Sequence, residues 1–281
     1  RCADVTGVQT CALPIYMPAA VQLFEKLLAD AQVNKEAYTN MTSDILKARS
    51  DAKLNQGQNF SRLMSFAMYG PKSPATNLLT EAELTNMNPQ ELVDRIHNQN
   101  SYKHRILYYG PSSSKDLLAT INQYHQVPAT LKDIPAGNEY AYLETPVTKV
   151  LVAPYDAKQI YMAQISNLDK KYDPAIEPIR ALYDEYFGGG MNSIVFQEMR
   201  ETRGLAYSAW ASIMPPSYLK YPYVLRTQIA TQNDKMIDAV TTFNDIINNM
   251  PESEAAFKLA KDGLTNRLRT ERIIKGDIIW S

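Results

Sequence analysis

Residues 186 to 208 read YFGGGMNSIVFQEMRETRGLAYS, and they hold the two groupings in the chain whose types and spacing suit chemistry. Gly188, Gly189 and Gly190 form a run that can present bare backbone amides, the arrangement that cradles phosphate when it follows a strand and opens a helix. Arg200 and Tyr207 lie seven positions apart. They pair a guanidinium that keeps its charge with a phenol that stays a neutral donor at physiological pH. The phosphate reading fails on spacing. Gly188 and Gly190 fit the start of G-x-G-x-x-G, but Ser193 stands at the third glycine position and the preceding segment reads as a helix. No G-K-[ST] follows. The run is therefore expected to be a structural turn between two closely packed helices, at positive φ. On spacing alone, Tyr207 as a half-buried strand aromatic and Arg200 as a solvated helix charge stays an open reading of the pair.

Metal and thiol chemistry find little support. A catalytic zinc needs two histidines one helical turn apart, a further carboxylate and a Glu base. The histidines are His97, His104 and His125, and HNQNSYKH offers neither the spacing nor the acid. His97 reads as a helix-surface residue and His104 as one leading a strand. Both cysteines, Cys2 and Cys11, lie in RCADVTGVQTCALPI, which has neither helical nor strand period and resembles translated sequencing-adapter read-through. A disordered tail or a Cys2–Cys11 disulfide is the alternative. Asp4 and Pro14 interrupt it as a signal peptide. Setting residues 1 to 16 aside as non-native or disordered leaves no cysteine, hence no cysteine nucleophile, cysteine zinc site or disulfide.

The elements that must position the Arg/Tyr pair follow from period and punctuation. A chain of 281 residues, 45% hydrophobic with a formal charge of −1, buries a core and has no global field to recruit nucleic acid or an anionic membrane. Apolar runs such as KVLVAP are too short to span a bilayer, which takes roughly 20 apolar residues. VQLFEKLLADA places Val21, Phe24, Leu27, Leu28 and Ala31 on one helical face. YTNMTSDILKARSDAKLNQ continues as a helix, and NPQELVDRIHNQ starts another at Asn88 and Pro89. HRILYYG (104–110) reads as a short strand. Three prolines in residues 126 to 148 mark a boundary. KVLVAPYDAKQIYMAQISN reads as a hairpin, DPAIEPIRALYDEYFGG as a helix capped by Asp173, and MNSIVFQEMRETRG as a second helix with Met191, Ile194, Val195 and Met199 on one face. LAYSAWASI and YPYVLRTQIATQ read as strands. Two long amphipathic helices close the chain.

As a whole string, YFGGGMNSIVFQEMRETRGLAYS resembles the C-terminal-half signature of the M16 (insulinase/pitrilysin-type) zinc peptidases. There a Gly-rich turn, a short helix with E-x-R-E-x-x-G-x-x-Y variants and the next strand recur together. The likeness extends from residue 20 to residue 281 through ILKARSDAKLNQ, YYGP and TKVLVAPYDAKQIYMAQISN. It implies an α/β fold of α+β type: two M16-like domains, each a mainly antiparallel sheet with helices on one face. By resemblance, residues 17–125 are the C-terminal part of the third of four domains, 126–148 a linker, and 149–281 most of the fourth.

The family encloses a peptide between two bowl-like halves, with an H-x-x-E-H zinc site in the first. The resemblance then implies that Tyr207 donates to the substrate carbonyl as it becomes an oxyanion and that Arg200 holds the peptide backbone. It implies peptide or unfolded polypeptide as substrate, zinc in the full-length protein with none bound by this chain, and no metal ligand here. The missing N-terminal half, or a partner M16 subunit, completes the enzyme. A noncatalytic M16-like scaffold subunit partnering an active one is the alternative, and neither reading involves nucleic acid or a membrane.

Overall fold

A computed structural model of the chain describes residues 16 to 272 and residue 278. The readings of Cys2, Cys11 and the rest of residues 1 to 15 lie outside the described residues. The chain divides into two compact units: one holds residues up to Lys47 together with Leu79–Asn138, and the other holds Ala48–Leu78 with Glu139–Glu271. This partition is not a single cut near residues 126 to 148. Residues 48 to 78 group with the C-terminal unit because their helix packs on its sheet.

The first unit is helical: α1 (Met17–Ala29), α2 (Lys35–Lys53, entering the second unit in its last turns), α4 (Glu81–Asn86), α5 (Gln90–His97) and α6 (Ser114–Tyr124). Their starts follow capping chemistry. Thr80 and Glu83 form a reciprocal capping box on α4, and Ser113 caps α6 by accepting from Asp116 N. α1 packs on α5 and α6, but Leu27 is 63% exposed and lies off the buried face expected for it. The strand expected at HRILYYG is absent. Residues 103 to 109 form no ladder, Ile106 and Leu107 are half exposed, and the pairing nearby is an isolated parallel bridge between Tyr102 and Lys132. A β-rich run becomes a strand only when another segment satisfies its amides and carbonyls, and within the described residues no segment does so.

The second unit carries α3 (Gln56–Tyr69), β1 (Gln159–Lys171), α7 (Glu177–Phe187), α8 (Ile194–Phe196, continued by a π-helical turn over Gln197–Thr202), β2 (Ser208–Met214), β3 (Pro222–Gln232), α9 (Met236–Asn248) and α10 (Glu254–Thr270). The sheet is antiparallel in the order β1-β3-β2. The expected hairpin is not formed. IYMAQISN is in β1, but KVLVAP forms no strand, Val150 and Val152 are 82% and 77% exposed, and β1 pairs with β3, in the register Ile165 opposite Arg226.

Alternation along the strands sorts the two faces. Ala209, Ala211 and Ile229 point into a core with Phe187, Val195, Met199, Phe243 and Ala260, supplied by α7, α8, the π turn, α9 and α10. The mixed helix and antiparallel sheet architecture of the resemblance is therefore present, with the helices named in this core on one face. On the other face α3 meets the sheet near one end, where Phe60 lies 5.6 Å from the Tyr161 ring and Gln56 Nε2 donates to Gln159 O at 2.6 Å.

Candidate functional site

The glycine run joins α7 to α8, and its packing explains its composition. Ala211 N of β2 lies 3.4 Å from Gly188 O, so the loop lies against the free edge of the sheet. A Cβ on Gly188 would fall 2.3 Å from Ala211 O and 2.4 Å from Ala211 N; one on Gly189 would fall 2.7 Å from Asp184 O. The expected positive φ is not the reason for these glycines. Gly188 has φ −143°, and the glycines at positive φ among the described residues are Gly70 and Gly204. Space against backbone, not torsional freedom, excludes a side chain at 188 and 189. Gly190 is less constrained, with Glu185 Oε1 as its nearest neighbour at 3.7 Å.

Asp184 completes the clamp. Its carboxylate accepts from Ile213 N at 2.8 Å, Ser212 Oγ at 2.9 Å and Arg180 Nη1 at 2.7 Å, so one side chain of α7 caps the outer edge of β2. Burial pushes its carboxyl above the ordinary range, although the backbone and hydroxyl donors and Arg180 pull the other way. Sequence reading missed this residue, whose only signal is an acid four positions before the first glycine.

Beyond the run, Ser193 starts α8: it is fully buried, its Oγ donates to Gly190 O at 2.6 Å, and it accepts from Phe196 N at 3.4 Å. Val195 and Met199 are fully buried and fix the helix on the sheet. Met191 is 73% exposed and precedes the helix, so it is not on that face. The π turn carries Arg200 and ends in Gly204 at φ +58°, where no neighbour lies within 4 Å of a built Cβ and the torsion itself requires glycine. Leu205 N and Ala206 N both donate to Met199 O, and Tyr207 N donates to Ala230 O at 2.9 Å to begin the ladder of β2.

The helix end, the turn and the strand start bring Arg200 and Tyr207 together. The guanidinium carbon lies 5.7 Å from the centre of the Tyr207 ring and 5.1 Å from that of Phe196. Tyr207 is 72% exposed, which excludes the half-buried strand position. Among the described residues its hydroxyl has no hydrogen-bond partner. Arg200 keeps a loose ion pair with Glu201 at 3.6 Å. Phe196, four residues before Arg200 and hence on the same helical face, is a member of the group that sequence reading did not single out.

A family model described as the peptidase M16 inactive domain matches residues 106–264, more than half of the chain. The chain belongs to the M16 peptidase family. Its fold is that of M16 structures at low identity. An M16 inactive domain from Pseudomonas fluorescens matches with a TM-score of 0.66 and 17% identity over 95% of this chain and 63% of that one. The periplasmic protease PqqL from Escherichia coli matches at 0.65 and 14% over 90% of this chain and 28% of its own. The ferredoxin protease FusC, solved with Arabidopsis ferredoxin, matches at 0.61 and 10% over 91% and 28%. No curated protein sequence matches the chain. The M16 chain described here thus spans under two thirds of each of these structures.

The histidines of this M16 chain do not fit a zinc centre. His97 Nε2 meets Ala31 O at 3.0 Å, His104 lies between Tyr102 O and His125 Nε2, and His125 Nδ1 meets Glu25. No group of three or more His, Cys, Asp or Glu able to hold a metal occurs among the described residues.

Proposed function

We propose that this chain is the peptide-binding C-terminal half of an M16 zinc metalloendopeptidase, in which Arg200 and Tyr207 assist a zinc site carried by a separate N-terminal half. In this reading residues 17–125 are the end of the third of four domains, 126–148 a linker and 149–281 most of the fourth. The observation that carries it is the exposed pair: an arginine on a π turn and a tyrosine at a strand start, side by side, with an aromatic hydroxyl facing solvent.

Exposing a large aromatic has no benefit for this unit's core, whereas a phenol aimed at a missing partner surface serves as a neutral donor. Arg200 holds the bound peptide by its backbone carbonyls, and the Tyr207 hydroxyl donates to the substrate carbonyl oxygen as negative charge develops on it. The binding partner is a peptide or unfolded polypeptide. Zinc, held outside this chain, would polarise the substrate carbonyl and activate the attacking water.

The test is steady-state kinetics of the assembled enzyme on a fluorogenic peptide. Loss of one oxyanion donor costs ~3 kcal/mol, so Tyr207→Phe is expected to lower kcat about 100-fold with KM unchanged. Arg200→Ala is expected chiefly to raise KM. Unchanged turnover in Tyr207→Phe would remove the catalytic role.

A second reading is favoured by the description of the matching family model as an inactive domain: a noncatalytic M16 scaffold subunit that partners an active one. An H-x-x-E-H motif in the same polypeptide or its obligate partner supports the peptidase; a complete N-terminal half lacking it in both supports the scaffold.

A further inference from the structure

The strand alternation that sends Ala209, Ala211 and Ile229 into the core sends Trp210, Arg226 and Gln228 to the opposite face of the sheet. Arg226 is held there in an unusual state. Its Nε is fully enclosed and meets no hydrogen-bond partner, its Nη2 donates to Gln228 Oε1 at 3.3 Å, and its guanidinium carbon lies 5.2 Å from the Trp210 ring centre. Its direct cross-strand neighbours are Ile165 and Ser212, neither of them charged.

Four arginines of this unit contrast with it, while Arg62 and Arg269, also without an ion pair among the described residues, are exposed to water. Arg180 is bound by Glu177 and Asp184, Arg200 by Glu201, Arg203 by Glu198 and Arg267 by Glu185. Arg226 has no carboxylate within ion-pair distance among the described residues. A guanidinium never sheds its charge in a protein, and an enclosed charged donor left unpaired is destabilising. The enclosed Nε is closed to an outside group, but Nη1 has no hydrogen-bond partner among the described residues and is not enclosed, so an anion can reach the guanidinium there. The Trp210 ring and the Gln228 amide hold the guanidinium from one side, leaving its Nη1 end to receive a carboxylate.

We propose that this sheet face is a subsite for an acidic side chain of a bound extended peptide, with Arg226 as the residue that reads it. The proposal rests on the peptide-binding reading above and adds a substrate class to it. Charge complementarity selects the occupant: the face offers Arg226, flanked by the Trp210 ring and the aliphatic Ile165, with no carboxylate within ion-pair distance of it among the described residues. The aspartate or glutamate of the peptide ion-pairs with Arg226 while its neighbours lie over Trp210.

The test is equilibrium binding to the 281-residue chain, read by fluorescence anisotropy, of two fluorescein-labelled unstructured peptides identical except for one central Glu or Gln. The Glu peptide is expected to bind about tenfold tighter, equivalent to about 1.4 kcal/mol. Arg226→Gln should remove that difference while leaving the Gln peptide's affinity unchanged, and Arg226→Lys, which keeps the charge without the fork, should restore part of it. The unchanged affinity of the Gln peptide serves as the check that Arg226→Gln has folded. Equal binding of the two peptides, or a preference that survives in Arg226→Gln, overturns the acidic subsite and leaves the peptide-binding reading standing. Binding of neither peptide overturns both.

Discussion

Gly188→Ala is the sharpest perturbation of the loop that sets the Arg200/Tyr207 geometry. The added Cβ would meet Ala211 O at 2.3 Å, Ala211 N at 2.4 Å and Ala211 Cα at 2.7 Å, all of them backbone atoms of β2 that no rotamer change can move aside. Relief requires the loop and the strand to part by about 1 Å, since carbon contacts settle near 3.5 Å and beyond. That movement breaks the contact of Ala211 N with Gly188 O and strains the Ile213 N to Asp184 bond. Overpacking a tight site costs roughly 1–3 kcal/mol, and a lost hydrogen bond about 1 more. Gly188 sits at φ −143°, a torsion open to alanine, so the unfolded-state effect of glycine removal returns about 0.4–1 kcal/mol. The net expectation is a loss of about 1–3.5 kcal/mol, or a melting temperature lower by about 2–14 °C. Urea titration and a thermal melt followed by circular dichroism measure it, with Gly190→Ala as the control because its Cβ meets nothing nearer than 3.7 Å. A Gly188→Ala protein as stable as the parent would show that the loop is not clamped on β2 and would refute the steric account.

Two further outcomes follow from buried polar groups. Glu25 accepts from His125 Nδ1 at 2.7 Å and from Asn100 Nδ2 at 2.8 Å, so Glu25→Ala leaves two donors unanswered and is expected to cost about 1–3 kcal/mol in the urea unfolding of the helical unit; an unchanged midpoint would show the network to be ornamental. The Tyr223 hydroxyl, donating to Glu177 at 2.6 Å, holds that carboxyl below its usual range, with Arg180 adding to the effect against a smaller push from burial. A carboxyl lowered on folding stabilises above the unfolded value of about 4.3 and loses that contribution as pH falls through the folded value. Urea midpoints measured from pH 7 to pH 3 should therefore fall less steeply in Tyr223→Phe than in the parent, and parallel curves would discount the bond.

Much of the helical frame is legible in the sequence, because a helix is specified within itself. Asp173 before Pro174 accepts from Ala175 N at the start of the turn leading into α7, and Val195 and Met199 fall on the buried face their spacing predicts. Strands differ in kind. HRILYYG and KVLVAP carry β-branched and aromatic residues as good as those of IYMAQISN, yet only the last pairs, and its partner β3 lies some sixty residues on. Composition says that a segment suits a ladder; it does not say which ladder, and a segment without one stays irregular. The glycines illustrate the same divide. GGG announces that side chains are excluded, but whether torsion or space excludes them depends on Ala211, a residue far along the chain.

The Arg/Tyr pair and Arg226 extend that argument from fold to chemistry. Seven residues between Arg200 and Tyr207 mean nothing for a uniform helix or a uniform strand; they bring two side chains together only because a π turn ends, Gly204 reverses the chain at positive φ, and Tyr207 N joins Ala230 O as the ladder begins. The spacing acts as a motif because it straddles a boundary between elements. Arg226 needed no motif. The alternation of YVLRTQIA already sets Arg226 and Gln228 opposite Thr227 and Ile229, and a charge at mid-strand on the face away from the core could have been read there. What the sequence could not show is the missing counter-charge, since that depends on every residue the neighbouring strands place beside it: Ile165 and Ser212, neither an acid. A cation left without a counter-charge among the described residues calls for an anion from outside, and under the proposed peptide-binding reading the nearest source is the peptide.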